Sequence, residues 1–448
     1  MVHSFTCLGK NICMDVDSGC IYDMDDLAFQ VVSLYKEGRQ AVLDGVAGYS
    51  PAEIEEAYRE VDGLVQQGLL FTEYDYSLVQ RPKTVIKAAC LHIAHDCNLR
   101  CCYCFAATGS FKGQRTLMDA ETGKKALDFL VAQSGNRVNL EVDFFGGEPF
   151  MNLDAVREIV AYGRELERKI EKRFSFTITT NAMELDDPTR AFLDREMSNV
   201  VLSVDGRKPV HDAMRKTREG KGSYDTAVAN ALQIARERQD KQHYVRGTFT
   251  AYNLDFTQDV LSLRDAGFEQ ISIEPVVTDE KLPFAIREHH LERICEEYET
   301  LAQEYIRSRK EGKWFNFFHF MVDTEDGGPC ISKRLGGCGA GSEYVAITPE
   351  GDIYPCHQFA GEADFKLGNL YEGELDTDRM EHFAASTVLT KEECRDCWAK
   401  YYCGGGCAAS AYHANGDISR PYGISCALEK KRVECALAIA AIERESAQ

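Results

Sequence analysis

The sequence has no long apolar run. Its longest candidate, Cys435 to Ile442 near the end, falls far short of the roughly 20 residues a membrane helix needs, so no membrane span is expected. The opening MVHSFTCLGKNICMDVD has no basic patch leading into an apolar stretch, so it is not a secretory leader and the chain is expected in the cytoplasm. Positive charge is scarce: 51 Lys and Arg stand against 72 Asp and Glu, a net charge of −21. Such a surface repels phosphate backbones and anionic lipid, which argues against nucleic acid and membrane as partners but tolerates a basic or neutral peptide.

Cysteine is what the chain has in excess, with 18 in 448 residues. A chain of this length can build a large core and does not need disulfide staples. Without a leader, clustered cysteines point to metal sites.

Three regions separate by pattern. Residues 1–80 open with strand-like pieces, Asn11–Val16 and Cys20–Met24, joined by a turn at Asp17-Ser18-Gly19. A helix follows, with Ser50 as N-cap, Pro51 in the first turn and Glu53 completing a capping box; Gly68 lies just past its end. Strands plus helices at this length suggest a winged-helix-like module, or alternatively a structural extension. Residues 84–320 alternate strands and helices. The strands are expected at Ala89–Ala94, Leu140–Phe145, Phe174–Thr179, Val200–Val204, Val245–Thr250 and Gln270–Pro275. Six βα repeats predict an α/β fold with a parallel sheet, an open or partial (β/α)6 barrel whose ligand sits at the carboxyl ends of the strands. Residues 321–448 lose that rhythm and are rich in Cys and Gly, so metal is expected to organise them. One hairpin is legible there: Tyr344–Thr348, a Pro349-Glu350-Gly351 type I turn, and Asp352–Tyr354.

Directly after the first of these strands, Cys97, Cys101 and Cys104 form C-x3-C-x2-C. Three thiolates can hold three irons of a cubane and leave the fourth iron open for a small molecule. Zinc, which usually takes four ligands, and a plain electron-transfer cluster are the competing readings. Cys102 breaks the spacing and reads as a non-ligand.

This motif, with the aromatic Tyr103 before its last cysteine, resembles the radical S-adenosylmethionine (SAM) superfamily. Phe145-Gly146-Gly147-Glu148-Pro149, Thr179-Thr180-Asn181, Ser203-Val204-Asp205-Gly206 and His211-Asp212-Ala213-Met214-Arg215 agree with it, each near the end of an expected strand. The resemblance implies that Gly146, Gly147 and Glu148 meet the SAM amino group. It puts Asn181, Ser203 and Asp205 near its ribose and methionine parts, and makes Arg215 a bidentate clamp on its carboxylate. It further implies that cluster-driven cleavage of SAM yields a deoxyadenosyl radical that takes a hydrogen atom from the substrate.

The third region contains Cys338, Cys356, Cys394-x2-Cys397-x5-Cys403-x3-Cys407 and Cys426, with Cys330 upstream. This resembles the SPASM domain of peptide-modifying radical SAM enzymes. The resemblance implies two auxiliary [4Fe–4S] clusters, three clusters in all. Cys330, Cys338, Cys356 and Cys407 would serve the first, and Cys394, Cys397, Cys403 and Cys426 the second. Cys330 lies upstream of the seven-cysteine pattern at a wider offset, preceded by Gly327-Gly328-Pro329, and without it the first auxiliary cluster keeps an open iron. The other cysteines, Cys7, Cys13, Cys20, Cys90, Cys102, Cys295 and Cys435, read as small buried hydrophobes.

Over nearly its whole length the chain resembles the maturases of SCIFF peptides, which carry six cysteines in forty-five residues. The segments that carry this are MVHSF, Pro329–Arg334, Gly337–Tyr344 and Tyr354–Phe359. The resemblance implies an anaerobic bacterial setting and a flavodoxin- or ferredoxin-type reductant. It makes the N-terminal module the element that binds a precursor's leader, and the reaction a thioether from a peptide Cys to a carbon, commonly of Thr. The alternatives are a sulfatase-maturase-like oxidation of Cys or Ser to formylglycine and, from a different class, an iron–sulfur electron carrier. Sulfatase maturases place an acidic base directly after the cysteine equivalent to Cys356, where His357 stands here.

Overall fold

Alternation of side chains along extended segments builds the central layer. A computed structural model describes residues 1–79, 84–324 and 329–447; the junction at 80–83 and the Gly327-Gly328 pair lie outside them. In the N-terminal module, β1 (Val2–Cys7), β2 (Lys10–Asp15) and β3 (Ile21–Met24) form an antiparallel sheet in that order. The strand β1 extends the two-strand expectation. Three helices, Asp26–Leu34, Arg39–Gly45 and Pro51–Gln66, close over one face through Cys13, Val31, Val42, Ile54 and Val61. The capping box forms: the Glu53 amide donates to Ser50 Oγ at 3.4 Å and the Ser50 amide to Glu53 Oε2 at 2.8 Å. The other face, with Phe5, Ile12 and Met14, joins the main core of the chain.

The main sheet has ten strands. These are β4 (Ala88–Ala94), β5 (Asn139–Gly146), β6 (Arg173–Thr180), β7 (Asn199–Ser203), β8 (Gln242–Phe249), β9 (Gln270–Pro275), β10 (Asn316–Phe317), β11 (Tyr344–Ile347), β12 (Asp352–Tyr354) and β13 (Gly368–Asn369). Their order is β10-β9-β8-β7-β6-β5-β4-β11-β12-β13. Strands β4 to β9 run parallel, each beside its successor, which is the expected half-barrel and not a closed one. On β5 the even positions Leu140, Val142 and Phe144 are buried under helices Ala120–Gln133 and Leu153–Glu167, while the odd ones face the concave side. Register carries that inward face across the sheet: Cys90 beside Asp143, His92 beside Phe145, Asp143 beside Thr177, and Ser203 beside Arg246.

The expected hairpin forms as β11 and β12, with the Gly351 amide donating to the Thr348 carbonyl at 2.9 Å. Strand β11 pairs in parallel with β4, so the third region extends the barrel sheet instead of standing apart. That region also holds a helix of 25 residues, Gly423–Ala447, which the sequence pattern did not mark. Its buried side chains, including Leu428, Val433, Cys435, Leu437 and Ile439, are not confined to one stripe. The helix is wedged between helix Leu291–Lys310 and strands β1 and β2, where Arg432 Nε donates to Tyr298 Oη at 2.8 Å. No helix of the described residues is long and apolar enough to cross a membrane.

Candidate iron–sulfur and SAM site

The loop after β4 is fixed from several directions. The Cys97 amide donates to Asp96 Oδ1 at 2.8 Å, and Asp96 also pairs with Arg115 and, at 3.0 Å, with Arg218. Arg218 donates to the Cys97 carbonyl at 2.7 Å. The Arg100 and Cys102 amides donate to the carbonyls of Lys216 and Met214 at 2.6 and 2.9 Å. The loop is thereby stitched to the segment that carries Arg215. Sequence reasoning missed Asp96, Arg115 and Arg218. Asp96, immediately before Cys97, was the signal available.

Cys97, Cys101 and Cys104 are brought together: charge on Cys104 acts on both Cys97 and Cys101, and charge on Cys97 acts on Cys101. Burial pushes the Cys97 and Cys101 thiols up to about 12, with Glu148 adding to the rise at Cys97. Cys102 is exposed, as a non-ligand can be, and is not the buried hydrophobe expected; Cys20 and Cys295 are only half-buried.

At the end of β5, Glu148 is 1% exposed. It accepts from the Phe150 amide at 3.0 Å, Thr180 Oγ1 at 2.8 Å and the Asn181 amide at 2.8 Å. Burial raises it to about 7 against these neutral donors. A cationic amine is what would hold this carboxylate ionised. A Cβ on Gly147 would lie 2.0 Å from the Asp96 carbonyl oxygen, so only glycine lets β5 approach the cluster loop. Asn181 Nδ2 donates to Asn98 Oδ1 at 2.7 Å and lies 3.8 Å from the Cys97 sulfur.

Asp205, at the end of β7, is wholly buried and is a hub. It accepts from Tyr103 Oη at 2.6 Å, Arg215 Nε at 3.0 Å and the Thr248 amide at 3.0 Å. The guanidinium lies 5.6 Å from the Tyr103 ring centre. Asp205 therefore holds Tyr103 and Arg215 in place, and Arg215 approaches the site already paired. Ser203 faces the concave side beside Arg246.

In the third region Cys338, Cys356 and Cys407 form one mutually interacting set. Cys394, Cys397, Cys403 and Cys426 form another. Burial raises Cys356 and Cys403 to about 12 and Cys394 to about 11. Gly404 packs on Gly336 and Gly337, where a Cβ would meet the Gly336 carbonyl oxygen at 3.1 Å. Cys330 is exposed and lines a cavity of about 370 Å³ with Asp15, Asp17, Trp398 and Tyr401. Among the described residues no three His, Cys, Asp or Glu side chains converge tightly enough for a single ion. Buried, interacting thiols are the donors an iron–sulfur cluster takes, and the buried Glu148 carboxylate is one a cationic amine would pair with.

A 4Fe-4S single cluster domain matches residues 87–229, and SPASM, an iron–sulfur cluster-binding domain, matches residues 338–398. The radical SAM cyclopropyl synthase TigE of Paramaledivibacter caminithermalis is 20% identical over 89% of this chain and 86% of its own. A cysteine-type anaerobic sulfatase-maturating enzyme of Clostridium novyi is 23% identical over 70% of this chain and 85% of its own. The crystal structure of Streptococcus suis SuiB bound to precursor peptide SuiA superposes with a TM-score of 0.53. It is 16% identical and covers 94% of this chain and 98% of that one. The half-barrel with its thiol loop has the fold of radical SAM enzymes. More particularly, with its 4Fe-4S cluster and SPASM matches, the chain is similar to radical SAM peptide and sulfatase maturases.

Proposed function

We propose that the chain is a peptide maturase that joins a cysteine sulfur to a carbon, commonly of Thr, in a cysteine-rich SCIFF-type precursor. The observation that carries this reading is that Cys330 is exposed and lines a cavity with Asp15, Asp17 and Trp398 that Cys338, Cys356 and Cys407 do not line. Three protein thiolates at the first auxiliary cluster leave room for a fourth from the peptide. Cys97, Cys101 and Cys104 hold the SAM cluster, and Cys394, Cys397, Cys403 and Cys426 the second auxiliary cluster. When bound, the clusters and SAM supply the hydrogen-atom acceptor and the electron sink for a reaction in which the peptide loses two hydrogens, about 2 Da.

Glu148 receives the SAM amine. Arg215, aligned by Asp205, meets the carboxylate, and Tyr103, Gly146, Gly147, Asn181 and Ser203 line the remaining contacts. The N-terminal module captures the leader. Its strand β3 pairs only with β2 among the described residues, and a peptide strand can add to that outer edge. SuiB, whose structure was solved with a precursor peptide, covers this module as well as the barrel. A flavodoxin- or ferredoxin-type protein supplies the electrons.

The test is mass spectrometry of a cysteine-rich precursor incubated anaerobically with reconstituted protein, SAM and reductant. The expected product is about 2 Da lighter and takes one fewer thiol alkylation. A product carbonyl that reacts with a hydrazide would instead mark formylglycine chemistry, and deoxyadenosine with no mass change would contradict thioether formation.

A further inference from the structure

The concave face of the sheet carries an exposed ion pair that the SAM and cluster assignments do not use. Strand β8 alternates: Val245, Gly247 and Phe249 are buried under the helices, so Tyr244, Arg246 and Thr248 point inward. The Thr248 amide donates to Asp205, the hub behind Tyr103 and Arg215. Arg246 is the next inward position on the same strand, about 7 Å along it. On the same concave side, Phe145 of β5 points inward. His357 follows Cys356 and packs against Phe145 and Phe105, with ring centres 5.0 and 5.5 Å away. Arg246 thus shares the concave face with the candidate SAM site and with the ring that supports the loop of the first auxiliary set, the face a peptide meeting both would cross.

The Arg246 side chain is 56% exposed although it lies inside the half-barrel. Its Nη2 donates to Glu274 Oε1 at 3.1 Å, and Glu274 sits on β9 two residues beyond Ser272, the register partner of Arg246. An exposed pair of this kind adds only about 0–1 kcal/mol to stability, so folding does not explain it. A guanidinium has five N–H donors in a rigid plane, and the contact with Glu274 leaves others facing the cavity. The carboxylate already offsets the charge. The pair therefore suits a neutral acceptor better than an anion.

We infer that Arg246 is a substrate-binding residue: its guanidinium holds a main-chain carbonyl of the peptide on the concave face, with Glu274 as its positioning residue. This rests on the maturase reading above. The sequence did not mark Arg246, because its partner on β9 is distant in the chain.

The experiment compares R246Q, R246K and E274Q with the wild type, as reconstituted full-length protein with an intact precursor peptide. Three quantities are read: the peptide KM against kcat, deoxyadenosine formed per crosslink, and equilibrium affinity for the peptide by fluorescence anisotropy without SAM. R246Q is expected to raise KM and weaken binding by about tenfold to a hundredfold, the weight of a hydrogen bond from a charged group. Deoxyadenosine per crosslink rises with it. R246K, which keeps the charge and loses the fork, falls between, and E274Q shows a smaller loss of the same kind. Thermal midpoints within a few degrees of wild type exclude a folding defect. If the wild type crosslinks the peptide and R246Q matches it in KM, affinity and coupling, the inference is wrong and the maturase reading stands. If the wild type itself leaves the peptide unchanged, both fall.

Discussion

Tyr103 Oη donates to Asp205 Oδ2 at 2.6 Å, joining the cluster loop after β4 to the end of β7 across 102 positions of sequence. The same carboxylate holds Arg215 at 3.0 Å. One buried anion thus aligns an aromatic ring beside Cys104 and a guanidinium at the SAM site.

Removing that anion strands a cation. Asp205→Asn leaves Arg215, whose side chain is 11% exposed, without its ionic partner. Breaking a buried pair from one side is destabilising by roughly 3–5 kcal/mol. Urea denaturation should show a loss of that order, together with weaker SAM binding. Tyr103→Phe removes one hydrogen bond and should lose only about 1–3 kcal/mol.

Gly147→Ala should act on cluster assembly. The added Cβ would stand 2.0 Å from the Asp96 oxygen, backbone that cannot move without shifting Cys97. The expected result is iron content down by about four per chain and no SAM cleavage, with the auxiliary clusters kept. Full iron and wild-type cleavage would contradict the close approach.

Glu148 gives a pH signature. Burial raises its pKa from 4.5 to about 7, so the native state keeps a proton that the unfolded chain releases earlier. The resulting stabilisation is fully present below about pH 4.5 and is lost as pH rises through about 7, a span worth roughly 3 kcal/mol. The thermal midpoint of the SAM-free protein should decline across that window, and Glu148→Gln should flatten the decline. The same variant should bind SAM at least about tenfold more weakly.

The N-terminal module is clasped to the second auxiliary region. His3 stacks on Trp398 with ring centres 3.8 Å apart and planes 7° from parallel. Buried Lys400 donates to Tyr76 Oη at 2.9 Å, and Tyr76 in turn bonds Asp17, which also pairs with the N-terminal amine at 2.6 Å. Trp398→Ala forfeits the stacking, about 0.5–1.5 kcal/mol beyond its buried area. Hydrogen exchange over β1 to β3 should quicken, while the barrel strands stay protected.

Local chemistry was legible and long-range assembly was not. The strand Gln270–Pro275 has the bounds its pattern implies, and the Ser50 box and the Pro349–Gly351 turn form where their residues stand. The helix Gly423–Ala447 was missed because it is buried from more than one side and shows no single apolar stripe. The pairing of β11 with β4 joins residues more than 250 positions apart, which no local signal encodes. For the same reason no local pattern showed that Asp205 bonds Tyr103, Arg215 and the Thr248 amide at once.

The most direct measurement is reductive SAM cleavage by the triple variant C97A/C101A/C104A beside the wild type, both reconstituted anaerobically. The account predicts methionine and deoxyadenosine from the wild type at about twelve iron per chain, and neither product from the variant at about eight. Cleavage by the variant at a comparable rate would contradict it.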